Sequence, residues 1–175
     1  MKEILDVIKT RRSIRKFKGD MIPKDKIDKI IEAGTYAATG KNKQSPIIIA
    51  ITNKEIRDEF SKMNARIMGQ DESFDPFYGA PVILIVLANK EIPTAVYDGT
   101  LVMGNLMLEA HELGIGSCWI HRAKEEFESE EGKQFLKSLG IEGEYEGIGH
   151  CALGYADGPV LEAPKRKEHW VYYVD

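Results

Sequence analysis

The chain has 175 residues, 43% of them apolar and 30% charged, with a formal net charge of −4. That length favours a single domain over residues 1–175 and allows roughly 70% of the unfolded surface to be buried. The acidic balance argues against a dedicated nucleic-acid binder, and the first apolar stretch, broken by Asp6 and Lys9, reads neither as a signal peptide nor as a membrane span.

Ile4, Leu5 and Ile8 form a helical stripe over residues 2–10. A basic cluster, Arg11-Arg12-Ser13-Ile14-Arg15, follows directly. Pro23 opens a second helix, with Ile27, Ile30, Ile31 and Gly34 on one face and Ala37 and Ala38 after it. Residues 39–46, Thr-Gly-Lys-Asn-Lys-Gln-Ser-Pro, carry turn chemistry. Ile47–Ile51 reads as a buried strand, and Asn53 as the N-cap of a helix running to about Met63. Residues 69–79 form a polar loop with aromatics, Phe74, Phe77 and Tyr78. Pro81 then introduces a second buried strand, Val82–Ala88.

Thr94–Leu113 is the longest helix candidate. Leu101, Val102, Met103, Leu106, Met107, Leu108, Ala110 and Leu113 make it apolar nearly all round, so it is expected to be central and packed partly against a second subunit. Gly114 ends it as a C′ residue. Gly116–Ile120 is a third strand, Glu125–Leu139 a charged surface helix ended by Gly140, and Ile148–Leu153 a fourth strand. From Asp157 the tail is irregular, with Trp170–Val174 as an extended arm. The pattern predicts an α+β fold: a modest mixed or antiparallel sheet flanked by helices.

Candidate chemistry concentrates in a few places. Guanidiniums offer a planar fork that matches phosphate oxygens, and a serine hydroxyl adds a donor. Arg11, Arg12, Ser13 and Arg15 therefore suit a phosphate-bearing ligand, with Lys165, Arg166 and Lys167 as a second basic group. Either group also reads as a solvated charge run. Asn42 and Gln44 read equally as turn shapers, and Trp119 as a core aromatic. No G-x-G-x-x-G follows a strand and no P-loop is present, so no permanent dinucleotide site is expected. Cys118 and Cys151 lack metal-type spacing and are too few for a disulfide framework. They read as reduced, buried thiols of a cytoplasmic protein, with no evident cationic setting for Cys118 and no metal site.

Taken together and in this order, three stretches resemble the flavin-dependent nitroreductase family: Arg11–Arg15 after a short helix, Thr39–Gln44 after an alanine-ended helix, and Leu113–Ile120 after a long apolar helix. Gly154-Tyr155 and Lys165–Lys167 complete the order, so the resemblance spans essentially the whole chain of a short family member. It implies a nitroreductase-like homodimer with FMN at the subunit interface. It implies that Arg11 and Ser13 hold the phosphate, helped by Arg166 and Lys167 beside Lys165. Arg12 belongs to the same turn, and Arg15 approaches the pyrimidine end of the ring. Thr39, Gly40, Asn42 and Gln44 come from the other subunit, and Trp119, Ile120 and His121 run over the flavin face.

The implied activity is ping-pong hydride transfer from NADH or NADPH to a small acceptor such as a nitroaromatic or quinone. Alternatives are a family member acting on non-nitro substrates by alkene reduction or dehalogenation, and a non-catalytic or sensory flavin-binding protein. Two positions depart from the family's usual pattern. Gln44 is followed by Ser45-Pro46 in place of Pro-Trp, and His121-Arg122 stand where short members carry two glycines. His121 is the one candidate for proton supply or substrate tuning, because an unperturbed histidine titrates near pH 6.5.

Overall fold

The computed structural model describes residues 3–175; Lys2, where the first helix was expected to start, lies outside them. Four strands, β1 (Pro46–Ile51), β2 (Val82–Asn89), β3 (Gly116–Ile120) and β4 (Tyr145–Gly154), form one sheet in the order β1-β2-β4-β3. Every pairing is antiparallel, which resolves the mixed-or-antiparallel alternative. Among the described residues six α-helices flank the sheet: α1 (Ile4–Thr10), α2 (Lys24–Thr35), α3 (Lys54–Met68), α4 (Ala95–Glu112), α5 (Ala123–Glu128) and α6 (Glu130–Ser138).

β2 shows why the molecule is layered. Val82 to Ala88 are all fully buried. Successive side chains of a strand point to opposite faces. Ile83, Ile85 and Leu87 pack with Phe60, Met63, Phe127 and Leu136 of α3, α5 and α6. Val82, Leu84 and Val86 pack with Ile27 and Ile30 of α2 and Val102, Met103 and Leu106 of α4. Each such side chain contributes about 1.5–3 kcal/mol on burial. The continuous apolar run is that of a strand covered on both sides. β1 is an edge strand and only half-buried, where full burial was expected. An edge strand has a neighbour on one side alone, so its apolar run overstates its cover.

α4 ends as its sequence predicts. Gly114 has φ +74, Ile115 N–H donates to Ala110 O at 2.8 Å and Gly114 N–H to His111 O at 3.2 Å, a Schellman closure. Its apolar circumference is not all covered: Tyr97 and Leu101 face outward, 73% and 50% exposed. α3 runs beyond Met63 to Met68, because Gly69 at φ +74 is the first residue able to end it. β4 starts at Tyr145, earlier than expected.

The largest correction lies between Glu125 and Leu139. Two helices stand there, broken at Ser129, which has extended backbone and accepts a bond from Gly132 N–H at 3.1 Å as the cap of α6. α5 is not a surface helix: Glu126 and Phe127 are buried. Gly147 of β4 makes this possible, since a Cβ there would lie 2.1 Å from Ala123 O. From Asp157 onward no regular element forms, and Trp170–Val174 is exposed coil with no strand partner. No helix among the described residues is long and apolar enough to cross a membrane. Cys118 and Cys151 are free and buried. They sit on neighbouring strands with their side chains on opposite faces of the sheet, in separate cores.

Candidate functional site

α1 stops at Thr10, and the chain then runs extended along the free edge of β3. Ser13 bridges Ser117 in the parallel sense, and Ile14 N–H donates to Ser117 O at 2.9 Å. Further on, Phe17 is buried, Lys18 N–H donates to Tyr155 O at 2.9 Å, and Lys16 pairs with Asp157 at 2.7 Å. With the backbone so fixed, Arg11, Ser13 and Arg15 share one side by the two-residue alternation.

Cys118 reports that convergence. Burial pushes its thiol up, while Arg15, the Ser13 hydroxyl and Arg11 oppose the shift. No cationic setting for Cys118 is evident along the chain; the structure supplies two arginines, yet burial wins and the group remains a thiol. Cys151 is pushed up to about 12 by complete burial.

Several donors here have no acceptor. Arg11 Nη1, Arg12 Nε, Ser117 Oγ and Trp119 Nε1 are buried and unpartnered. An orphaned buried polar group costs about 1–3 kcal/mol. Two such guanidinium atoms beside Ser13 fit an anionic ligand.

Around them are two concavities. A groove of about 530 Å³ runs between Arg12–Lys16 and the tail at 156–164. A smaller cavity of about 160 Å³ is lined by Arg15, Met68, Phe74, Tyr78, Trp119 and His121. Its walls join Arg15 to the end of β3, including Ile120. The Trp119 and His121 rings lie 6.0 Å apart, and His121 is exposed. Lys165, Arg166 and Lys167 follow the groove on the exposed tail. Their contacts are local: Arg166 donates to Pro164 O at 2.7 Å, and Lys167 lies 5.0 Å from the Trp170 ring centre.

The loop over the smaller cavity is built on Asp75. Ser61 Oγ donates to it at 2.8 Å, Phe77 N–H at 3.0 Å and Gly79 N–H at 2.7 Å, and Arg57 forms an ion pair with it. Burial pushes the Asp75 carboxyl up, but Arg57, Gly79 N–H and Ser61 together hold it below the usual carboxylate range.

Thr39, Gly40, Asn42 and Gln44 lie elsewhere. Gly40 N–H donates to Asp98 Oδ1 at 3.0 Å and Thr94 Oγ1 to Asp98 Oδ2 at 2.9 Å, tying the turn to the start of α4. Gln44 N–H donates to Thr39 Oγ1, and Gln44 Nε2 to Asn42 Oδ1, each at 3.0 Å. Lys41, Asn42 and Gln44 all have positive φ, +51, +54 and +48. Left-handed backbone costs a non-glycine residue about 1–2 kcal/mol. Such strain clusters at functional sites. The Arg11 turn sits at the opposite end of α4, where Thr10 Oγ1 meets His111 Nε2 at 2.8 Å. The helix between Asp98 and His111 is about 20 Å long at about 1.5 Å per residue. Within one protomer the two sets of residues are therefore not brought together.

Sequence reasoning missed Asn64, Glu126 and His150, all completely buried behind the end of β3. The available signal was His150 alone in an apolar strand. Glu126 was hidden in a run of charge that reads as a solvated face.

A family model described as the nitroreductase family matches residues 8–155. The chain is 30% identical over 122 residues to a Methanothermobacter thermautotrophicus protein bearing the names NADH dehydrogenase and NAD(P)H nitroreductase. That match covers 67% of this chain and 60% of the relative, so it spans well under two thirds of the relative's length. A nitroreductase from Bacteroides fragilis solved with bound FMN superposes with a TM-score of 0.88, at 30% identity and full coverage of both chains. A nitroreductase with bound FMN from Desulfitobacterium hafniense gives 0.85 at 27% identity, again over both whole chains.

Proposed function

Because this chain belongs to the nitroreductase family, we propose that it is an FMN-dependent oxidoreductase. It would pass hydride from NADH or NADPH to a nitroaromatic, a quinone or a similar small acceptor. The observation that carries this reading is the pair of buried, unpartnered guanidinium atoms, Arg11 Nη1 and Arg12 Nε. FMN, when bound, supplies a ring that accepts and returns a hydride.

The residues present fit that group. Arg11, Arg12 and Ser13 would hold the phosphate, with Lys165, Arg166 and Lys167 closing over it as the tail settles. A charge-assisted hydrogen bond contributes about 1.5–3 kcal/mol, so a few suffice for tight binding. Arg15 would stand at the pyrimidine end and favour negative charge there. A guanidinium about 4 Å from such a charge stabilises it by roughly 4 kcal/mol at an effective dielectric of 20. Trp119, Ile120 and His121 would line the reacting face. His121 is exposed there and suited to tuning acceptor choice or supplying a proton.

Thr39, Gly40, Asn42 and Gln44 would complete the site from a second copy. Their distance from Arg11 along α4 supports a homodimer with a shared site. So does the apolar groove of about 290 Å³ lined by Ile4, Val7, Ile8, Ala33, Asn105 and Leu108. Two buried free thiols fit the reducing cytoplasm.

The second reading is a non-catalytic flavin holder, in which His121 and Arg122, on the wall of the cavity over β3, would close the flavin face.

The test is the visible spectrum of the purified protein, before and after NADH or NADPH without air. Flavin bands that bleach, then return on adding an acceptor, are the expected result. Bands that bleach but never return with any acceptor favour the holder. A colourless protein that takes up no added FMN overturns the reading.

A further inference from the structure

Two successive carbonyls at the end of β3 are taken by side chains behind the strand, and the third accepts the first backbone bond of α5. His150 Nδ1 faces Ile120 O at 3.3 Å, Asn64 Nδ2 donates to His121 O at 2.9 Å, and Glu126 N–H donates to Arg122 O at 3.0 Å. The same groups bond one another. Glu126 Oε2 lies 2.6 Å from His150 Nε2, Asn64 Nδ2 donates to Glu126 Oε1 at 2.7 Å, and Arg122 Nε donates to Asn64 Oδ1 at 2.9 Å. Asn64, Glu126 and His150 are fully buried and come from α3, α5 and β4.

Hydrogen-bond bookkeeping fixes most of the protons. A carbonyl only accepts, so His150 Nδ1 carries a hydrogen toward Ile120 O. One proton then lies between Nε2 and Glu126 Oε2, whichever atom owns it. Glu126 Oε1 is taken by Asn64, whose other amide atom is taken by Arg122. A buried network with every member satisfied is rigid, and a partly satisfied one is costly. This one also holds Arg122 at φ +77, a backbone region that non-glycine residues rarely adopt.

We propose that Asn64, Glu126 and His150 are positioning residues for the strand end Ile120–Arg122, the buried network setting where that backbone stands beside the bound flavin. The proposal rests on the FMN-dependent reading above. The β-ladder reaches only the first residue of this segment: pairing of β3 with β4 stops at Ile120 opposite His150. Beyond that residue the network takes over, and α5 starts at Ala123. A displacement of about 1 Å at a reacting centre costs on the order of 100-fold in rate. Such a segment needs a rigid backing.

Asn64→Ala and Glu126→Ala break the network. Glu126→Gln preserves it, because a glutamine can accept from Asn64 and donate to His150 Nε2. Two readouts apply. The first is amide hydrogen exchange of residues 120–124 in the protein as purified. The second is the rate of hydride transfer from NADH or NADPH in a single turnover, with FMN affinity measured alongside. Expected for both alanine variants are exchange at least about tenfold faster, confined to 120–124, and transfer slowed about 10- to 100-fold with FMN affinity within about threefold. Glu126→Gln should stay near wild type on both. Unchanged exchange in the alanine variants, or a Glu126→Gln as impaired as Glu126→Ala, overturns the proposal.

If neither alanine variant folds, Arg122→Asn tolerates the left-handed backbone and is too short to reach Asn64. It should also speed exchange at 120–124, and failure to do so overturns the proposal. A wild-type protein that takes up no FMN overturns the flavin reading and leaves the exchange result to decide the positioning role alone.

Discussion

The two ends of α4 are built on opposite principles. At its C-terminal end the extended Arg11–Arg15 segment is held by a ladder bridge to Ser117 at the start of β3 and, just beyond it at Phe17, by the loop that the Asp75 hub fixes. The backbone there is over-determined, yet Arg11 Nη1 and Arg12 Nε remain unpartnered. At its N-terminal end, the Thr39–Gln44 turn leaves no such donor but is exposed and strained, tied down mainly through Asp98. One end is rigid and electrostatically unfinished; the other is electrostatically complete and conformationally loaded. Ligand binding should relieve the first, and docking of a second copy should brace the second.

The rigid end breaks most severely at Asp75. Asp75→Ala removes three hydrogen bonds and leaves Arg57, whose side chain is only 10% exposed, with the more exposed Asp58 as its remaining ion-pair partner. The expected loss is about 3 kcal/mol, read by denaturant unfolding. The pH dependence has a definite sign. A carboxyl held below its unfolded value stabilises the fold above the unfolded pKa of about 3.9, and that contribution fades as pH falls through the lower folded value. The wild type should therefore lose stability on the acid side more steeply than Asp75→Ala. Parallel acid limbs would show that the hub is not electrostatic.

Arg11→Ala tests the unfinished electrostatics. It should weaken FMN binding about 10- to 100-fold, the value of one or two charge-assisted hydrogen bonds. The ligand-free protein should be as stable as wild type or slightly more so, since a buried donor without an acceptor is removed. A variant that loses stability and keeps its affinity would assign Arg11 to the fold.

Asp98→Ala makes the converse prediction at the other end. The buried carboxylate serves Gly40 N–H and Thr94 Oγ1. Its loss should cost about 1–2 kcal/mol without ligand and weaken FMN about tenfold, because the turn relaxes from its left-handed backbone. Opposite signs in the ligand-free stabilities of Arg11→Ala and Asp98→Ala would sharpen the contrast, and equal signs would erase it.

Much of this frame is legible in the chain itself. The apolar runs at 47–51 and 82–88 and the Gly114 cap place β1, β2 and the end of α4, because burial and capping are local signals. The basic turn and the 39–44 turn stand out for the same reason. The 125–139 region misleads, because helical charge periodicity continues across Ser129 and conceals that Glu126 is buried. The Asn64–Glu126–His150 network is long-range, joining residues 24 to 62 positions apart, and nothing local marks it. Its only trace is a histidine inside an apolar strand.

The smallest effect is expected where the end of β3 meets solvent. His121 is exposed and its side chain does not enter the buried network; its carbonyl does. His121→Ala should therefore leave FMN affinity and stability within about twofold while moving the ranking of acceptors by a few-fold, because only the side chain beside Trp119 changes. If His121 supplies a proton, the wild type should show a pH dependence of activity that the variant loses. An unchanged ranking with an unchanged pH profile would remove His121 from the chemistry. Arg15 and the backbone of Ile120–Arg122 would then be left as this chain's contribution at the reacting face.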